Sequence, residues 1–365
     1  MSIDQRARAG LQFLGSLQTF SYDELLPIAR DDFQAENESS ALQASFAEKA
    51  DKPTWLKRLD QATDIAERSE AYRFNRFYQR YVAEENWVRS ISGVERNREH
   101  FETLQAAQPE VDERNLKLDP ELPVPEYYDG VEWHLQPGGM DGYDLNGPVA
   151  FAGFIPHVFA RGGFAAVATG DNLLQQRRDV IAQFPKAHYN RIYDVGCGGT
   201  GTLGLCRERF PDAELVGGDL SVTALKGGLA FSERMNWNIE LRQEDGRHTA
   251  EKDGGVDGVI SYALQHELPP EVSYDILKEM YRILSPGGDI VIADPPPFRA
   301  VPPFQAAILA WETTHRAEPY FVDACIFNLA EALTDIGFIN VEEYALQDSN
   351  YPWVTRATKP SVETP

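Results

Sequence analysis

The chain has 365 residues, 42% hydrophobic and 11% aromatic, a balance that suits a soluble globular protein with room for one large domain and an accessory region. Its 57 acidic and 34 basic residues leave a formal charge of −23, which makes nucleic acid and anionic lipid poor partners, since both require clustered Lys and Arg. Three cysteines (Cys197, Cys206, Cys325) make neither a disulfide framework nor a CxxC metal site, and neither a secretory signal nor a bilayer-length apolar run is present, so a cytoplasmic protein is expected.

To about residue 105 the apolar residues recur at helical spacing. In "PTWLKRLDQATDIAERSEAYRFNRFYQRYVAEENWVRSI" the series Trp55, Leu56, Leu59, Ala62, Ile65, Ala66, Tyr72, Phe74 and Phe77 predicts helices whose aromatic stripe is a packing face. A second copy of the chain, paired through that face as a homodimer, is the partner such a stripe suggests. Residues 106–127 are rich in proline and acid and read as a linker. The expected division is therefore a helical region, 1–127, that serves dimerisation or caps a substrate, followed by a domain at 128–365. The opening of that domain, 128–170, combines glycines with aromatic residues, histidines and arginine, as a lid over a pocket would. A helix capped by Asp171 then leads into a strand.

After residue 190 the rhythm becomes strand, helix, strand, helix. Strands are predicted at Arg191–Val195, Glu214–Gly218, Ile239–Gln243, Val256–Tyr262, Asp289–Ala293, Phe338–Leu346 and Tyr351–Thr358, with helices near 201–210, 221–235, 270–284 and 323–336. Helices of this length between strands mean right-handed crossovers and a parallel sheet. The last two strands are too close for a crossover and must form an antiparallel hairpin. The fold expected is α/β: a Rossmann-like, seven-stranded, mostly parallel sheet ending in that hairpin, preceded by the all-helical region.

The turn "DVGCGGTG" follows the first of these strands, and its Gly196, Gly198 and Gly201 also fit the dinucleotide pattern G-x-G-x-x-G. Ligands of open α/β sheets bind at the carboxyl ends of the strands, which places Asp219 of "GGDLS" at ribose hydroxyls. Asp194 stands two residues before the first glycine, poor placement for a pyrophosphate and good placement for an ammonium group. Asp245 and Gly246 in "QEDGR" close the third strand, where an adenine amino group could be received. Together with the reversed hairpin, these features favour S-adenosyl-L-methionine over a nicotinamide cofactor.

With "DVGCGGTG", "GGDLS", "EDGR", "DGVISYALQHELP" and "LKEMYRILSPGGDIVIAD" in that order, the region from about Arg191 to Lys359 resembles the class I S-adenosylmethionine-dependent methyltransferases. It is most similar to the subgroup of quinone-biosynthesis C-methyltransferases and small-molecule O- and N-methyltransferases. The resemblance implies that Asp194, Gly196 and Gly198 hold the methionine end, Asp219 with Leu220 the ribose, and Asp245 with Gly246 the adenine. It further implies that the backbone at Tyr262 and Ala263 lines the sulfonium side. A histidine is common after the fourth strand in this subgroup, often as a pair; here Gln265 takes the first position and His266 the second, which makes His266 the candidate base and loop packing its competing role.

Helix-forming and aromatic residues after the fifth strand, Trp311, His315 and Tyr320, with Arg161 of the lid, suit a small aromatic or carboxylated substrate. The expected reaction is methyl transfer to such a small molecule, on oxygen first, with nitrogen, sulfur and carbon acceptors as alternatives. Another enzyme on the same cofactor fold, or a cofactor-binding protein without turnover, is the second class of reading. No His/Asp/Glu group shows metal-ligand spacing, so no metal is expected.

Overall fold

A computed structural model of the chain describes residues 3–106, 115–161, 173–346 and 350–361. The backbone contacts divide it into two compact units, each assembled from three separate segments. The first comprises Met1–Ala106, Val131–Asn172 and Pro296–Ile326, the second Ala107–Gly130, Leu173–Pro295 and Phe327–Pro365. Among the described residues no helix is long and apolar enough to cross a membrane.

The second unit is built on an eight-stranded sheet: β1 (Leu116–Lys117), β2 (Arg191–Val195), β3 (Glu214–Asp219), β4 (Ile239–Gln243), β5 (Val256–Tyr262), β6 (Leu284–Asp294), β7 (Ile339–Ala345) and β8 (Trp353–Thr358), in the order β1-β4-β3-β2-β5-β6-β8-β7. Strands β1 to β6 run parallel, and β8 is antiparallel to both β6 and β7. The seven predicted strands are all present. The eighth, β1, lies in the stretch read as linker; too short to show a period, it pairs with the edge of β4. The predicted helix at 323–336 is two helices, Phe321–Ile326 and Leu329–Ile336, the second capped by the Asn328 side chain.

Alternation along the strands sorts the core. Ile192, Leu215, Ile260 and Val291 face one side of the sheet with Leu203, Leu225 and Leu229 of the helices Gly201–Arg209 and Val222–Arg234. Tyr193, Val216, Val259, Ile290 and Ile292 face the other, against Ile276, Leu277 and Met280 of the helix Pro270–Ile283. Apolar side chains on both faces are what a parallel sheet covered by helices requires.

The first unit holds α1 (Gln5–Phe20), α2 (Leu26–Ala35), α3 (Ser39–Phe46), α4 (Lys52–Ala66), α5 (Glu70–Glu95), α6 (Arg98–Ala106) and the helix Pro303–His315. Asp4, Asp51 and Ser69 cap α1, α4 and α5 by accepting backbone N–H bonds. Trp55, Leu59, Ala62, Ile65, Ala66 and Tyr72 pack as expected, against Phe298, Phe304 and Ile308 of the returning segment. Leu56, Phe74 and Phe77 do not: they are 39, 55 and 61% exposed. The helical period holds, but α5 turns a polar stripe inward (Asn75, Arg76, Gln79, Asn86), which puts Phe74 and Phe77 outside, stacked on Tyr78 and Tyr81.

The expected boundary at 127/128 is thus not where the contacts divide the chain. Residues 131–161, read as a lid on the following domain, are part of the helical unit, where Trp87, Leu145, Val149, Ala152 and Val158 share a core with Leu11 and Leu14 of α1. The Asp171 cap and residues 162–170 of the lid lie outside the described residues; the helix they precede is Leu173–Ile181.

Candidate functional site

The chain leaves β2, moves outward through β3 and β4, and returns to β5 on the other side of β2. That reversal opens a crevice at the carboxyl ends of β2 and β5, where α/β sheets bind ligands. The turn after β2 is shaped for this position. Gly196 has φ +67° and a Cβ there would meet Leu264 at 2.7 Å; Gly198 has φ +54°, and a Cβ on Gly198, Gly199 or Gly201 would meet nothing within 4 Å. The first glycine is therefore demanded by both backbone and packing. At the others the chain presents bare backbone to open space.

Asp219 at the end of β3 ties this turn down. Its two oxygens accept N–H bonds from Gly198 (2.7 Å) and Ser221 (2.8 Å), while the N–H groups of Gly196 and Cys197 bond the carbonyl of Gly218 (2.9 and 3.1 Å). A carboxylate has about four lone-pair sites, so it can also accept hydroxyls of a bound sugar. Leu220, half-buried, follows on the same turn.

Asp194 is the unusual group. It is buried, and among the described residues its Oδ2 has no hydrogen-bond partner. Burial, with a smaller contribution from the charge of Asp219, pushes its pKa up to about 8, against the opposing pull of Arg177. A buried carboxyl without a partner is costly unless a donor arrives from elsewhere. Arg177, on the helix Leu173–Ile181, lies with its guanidinium 4.3 Å from the ring centre of Tyr262 and bonds Thr202 Oγ1 at 3.3 Å. Tyr262 in turn faces Tyr351, hydroxyl to hydroxyl at 3.5 Å. The next residue, Ala263, has φ +58°, a left-handed backbone held by its N–H bond to the Ala293 carbonyl at 2.8 Å. Such backbone in a non-glycine residue collects at functional sites.

After β4, Asp245 is held by Arg247 in a fork, with Nη2 at 2.6 Å and the backbone N–H at 2.9 Å; burial works to raise its pKa, but this pairing keeps it below the usual value. Arg247 also covers the ring of Tyr127. At Gly246 a Cβ would come within 2.9 Å of Val195, so this glycine is required for close packing at the end of β2.

His266 lies on the turn Gln265–Glu267 after β5. Its Nδ1 is 2.7 Å from Asp294 Oδ1 at the end of β6, and the other oxygen of Asp294 accepts the backbone N–H of Gln265 at 2.6 Å. All three residues are buried. The Gln265 side chain accepts from Ser273, so where a second histidine is common this chain has a bond to the helix Pro270–Ile283.

Sequence reasoning missed Asp294, although an acid ending the apolar run "IVIAD" sits at the binding edge of a parallel sheet by rule. It missed Arg177 as well, and nothing local marks that residue: only the fold brings it to Tyr262. The four residues expected to contact substrate all belong to the helical unit. Trp311 and His315 stack on each other (4.7 Å between ring centres), and Tyr320 lies 6.2 Å from Trp133. Arg161 is elsewhere, with its guanidinium near Ser16 (3.5 Å) and its carbonyl accepting from Thr19 at 3.0 Å.

Residues 192–288 match the model of a family described as a methyltransferase domain. The chain is 33% identical over 130 residues to a demethylmenaquinone methyltransferase of Thermus thermophilus, covering 35% of this chain and 57% of that one. It is 30% identical over 125 residues to a trans-aconitate 2-methyltransferase of Azoarcus sp. (34% and 47% covered) and 29% identical over 124 residues to a ribosomal RNA small subunit methyltransferase C of Hahella chejuensis (33% and 35%). The chain thus spans between about a third and somewhat over half of the length of these curated relatives. Among solved structures, Haemonchus contortus phosphoethanolamine N-methyltransferase 2 with S-adenosyl-L-methionine aligns at TM-score 0.41 and 16% identity, over 51% of this chain and 53% of that one. The match to a methyltransferase domain thus covers residues 192–288, from β2 into β6.

Proposed function

We propose that this protein transfers a methyl group from S-adenosyl-L-methionine to a small molecule, with an oxygen of an aromatic or carboxylated metabolite as the foremost acceptor and nitrogen, sulfur or carbon as the alternatives. The observation that carries the reading is Asp194: a buried carboxyl with one oxygen unpartnered among the described residues, at the carboxyl end of β2 beside a turn of bare glycine backbone. A ligand ammonium would complete it. The charge of −23 supports a small acceptor over a nucleic acid, although one curated relative acts on ribosomal RNA.

When bound, S-adenosyl-L-methionine supplies an electrophilic methyl group on a sulfonium sulfur. Asp194 would hold the methionine ammonium and Arg177, close enough to act on Asp194, its carboxylate. Asp219 would take the ribose hydroxyls, with Leu220 beside it, and Asp245 with Gly246 would border the adenine. These contacts fix the position of the donor, which is the main protein contribution to a displacement of this kind. An acceptor that must shed a proton needs a base. If His266 donates its Nδ1–H to Asp294, its Nε2 is the basic nitrogen, and Asp294 keeps the ring in that tautomer.

The test is calorimetric titration of the purified protein with S-adenosyl-L-methionine and, separately, NAD, repeated on Asp219→Ala. Binding of the sulfonium cofactor alone, lost in the variant, is the expected result. Absence of that binding in the unaltered protein would overturn the proposal.

A further inference from the structure

Residues 115–127, part of the stretch read from sequence as a linker, are delivered to the candidate site by their one short strand. β1 runs parallel to β4 (Leu116 beside Leu241, Lys117 beside Arg242), so the chain leaves it at the carboxyl edge of the sheet, where ligands of α/β sheets bind. There the backbone N–H of Asp119 donates to the Gln243 side chain at the end of β4 (3.2 Å), and Asp119 Oδ1 accepts the N–H of Glu121 at 3.0 Å to turn the chain. A second turn, closed by the N–H groups of Tyr128 (2.9 Å) and Asp129 (3.0 Å) on the Pro125 carbonyl, carries Tyr127. Tyr127 packs on the buried cluster that includes Val195, at the end of β2, and Ile276.

Over the Tyr127 ring lies the Arg247 guanidinium, 5.6 Å from the ring centre. A cation on an aromatic face is attracted to it, which restricts a side chain that otherwise has many rotamers. The same guanidinium is committed to Asp245. Three N–H donors of Arg247 reach that carboxylate: the backbone N–H to Oδ1 at 2.9 Å, Nη2 to Oδ2 at 2.6 Å, and Nε shared between the two oxygens at 3.1 and 3.0 Å. No other described residue donates to it. A carboxylate has about four acceptor sites, so these donors leave one of them open. The backbone that carries Asp245 is seated as firmly as its side chain, since a Cβ on Gly246 would meet Val195 at 2.9 Å and Ile276 at 3.3 Å.

We propose that Arg247, seated on Tyr127, is a positioning residue: it turns Asp245 so that the remaining acceptor site receives the 6-amino group of adenine, and so makes the chain select 6-amino over 6-oxo purine in its cofactor. This rests on the methyl-transfer reading, in which Asp245 borders the adenine. The chemistry is one-sided. An amino group offers the carboxylate an N–H, whereas a carbonyl oxygen in its place turns a lone pair toward a negative charge. A site built to bond an N–H rejects the analogue without it far more strongly than an apolar pocket rejects a small change of shape. A carboxylate left to rotate reads that edge less sharply, because selectivity depends on a side chain locked by its own supporting contacts. The role of Arg247 is therefore expressed in the ratio of two affinities, not in affinity alone.

The experiment is calorimetric titration of the full chain with S-adenosyl-L-homocysteine and with S-inosyl-L-homocysteine, which differ only at the purine edge. Expected in the unaltered protein is a preference of about a hundredfold or more for the adenosyl compound. In Arg247→Met that preference should fall at least about tenfold, and in Arg247→Lys, which keeps the charge without the fork, it should fall less. A general loosening of the fold would weaken both ligands alike and leave their ratio where it was. Should Arg247→Met fail to fold, as a thermal melt shows, Tyr127→Leu takes its place: removing the ring should lower the ratio about threefold or more. Equal affinities in the unaltered protein, or an unchanged ratio in the variant that folds, would overturn the role of Arg247 and leave the proposed function standing. Binding of neither compound would overturn both.

Discussion

Gly218 has no side chain because the hydroxyl of Tyr193 stands where one would be: a Cβ at 218 would meet it at 2.0 Å. Tyr193, on the neighbouring strand and fully buried, reaches past this bare position to donate to Glu244 Oε1 at 2.6 Å. Gly218→Ala should therefore destabilise the protein by about 1–3 kcal/mol, as overpacking of a close-packed interior does. Combined with Tyr193→Phe, which removes the obstructing oxygen, the cost should be smaller than the sum of the single changes. Chemical denaturation of the four proteins of the cycle measures this, and strict additivity would separate the two residues.

On the proposed function, Asp194 links cofactor binding to pH. Its raised pKa, about 8, means that the folded protein binds a proton there which the unfolded chain has released. That contribution to stability is fully present below the ordinary carboxyl range and is lost as pH rises through about 8. An incoming ammonium needs the ionised form. Below pH 8, binding of S-adenosyl-L-methionine should then release close to one proton, and affinity should rise about tenfold per pH unit until it levels off. Calorimetry in buffers of different ionisation enthalpy counts the proton. Asp194→Asn should release none and bind weakly at every pH.

Arg177 acts on the same equilibrium from the other side. Its charge is what restrains the Asp194 pKa, so Arg177→Met should raise that pKa further and move the levelling of affinity to higher pH. An unchanged pH dependence in Arg177→Met would show that the two groups are not coupled.

Asp219 ties the glycine turn to the sheet with two N–H bonds to a charged oxygen pair. Bonds of this kind are worth about 1.5–3 kcal/mol each, so Asp219→Ala should lower the stability of the cofactor-free protein by about that much per bond and, with the acceptor for a ribose hydroxyl gone, weaken cofactor binding by at least about tenfold. Thermal shift with and without ligand separates the two.

His266 and Asp294 are distinguished by pH. His266→Gln should lower kcat by about 10²–10⁴ if a proton leaves the acceptor in the rate-limiting step. Asp294→Asn removes a negative charge from the imidazole, which favours its neutral form, so the acid limb of the rate profile should move to lower pH with a reduced maximum. The profile of kcat against pH for a methyl acceptor found by screening is the measurement. A fall in kcat without movement of the limb would reduce Asp294 to a packing role.

The sheet was legible because its signals are local and repeated. Arg191–Val195 runs into Gly196 and Val256–Tyr262 follows Gly254 and Gly255, and the bounds of both strands are those predicted. β1 was not legible, since two residues of strand have no period and exist only because β4 offers an edge. In α5 the period was clear but not its phase: Phe74 and Phe77 are the apolar choices for an interior, yet Asn75 and Arg76 occupy it. The glycine turn and Asp219 announce themselves by spacing, whereas Arg177 and Asp294 reach their positions through tertiary packing from opposite ends of the domain.

The interleaving of segments has a consequence for how this chain can be cut or inherited. The helix Pro303–His315, encoded between strands of the sheet unit, buries Phe304 against Phe33 and Tyr72, which are encoded some 230 positions or more earlier. Neither unit is a cassette. A fragment beginning at 128 would keep that helix and lose the residues that cover it, and a fragment ending there would lose a wall of its own core. Gene fusion, domain exchange and limited proteolysis should all treat the two units as one inheritance, because no single break in the polypeptide leaves either of them whole.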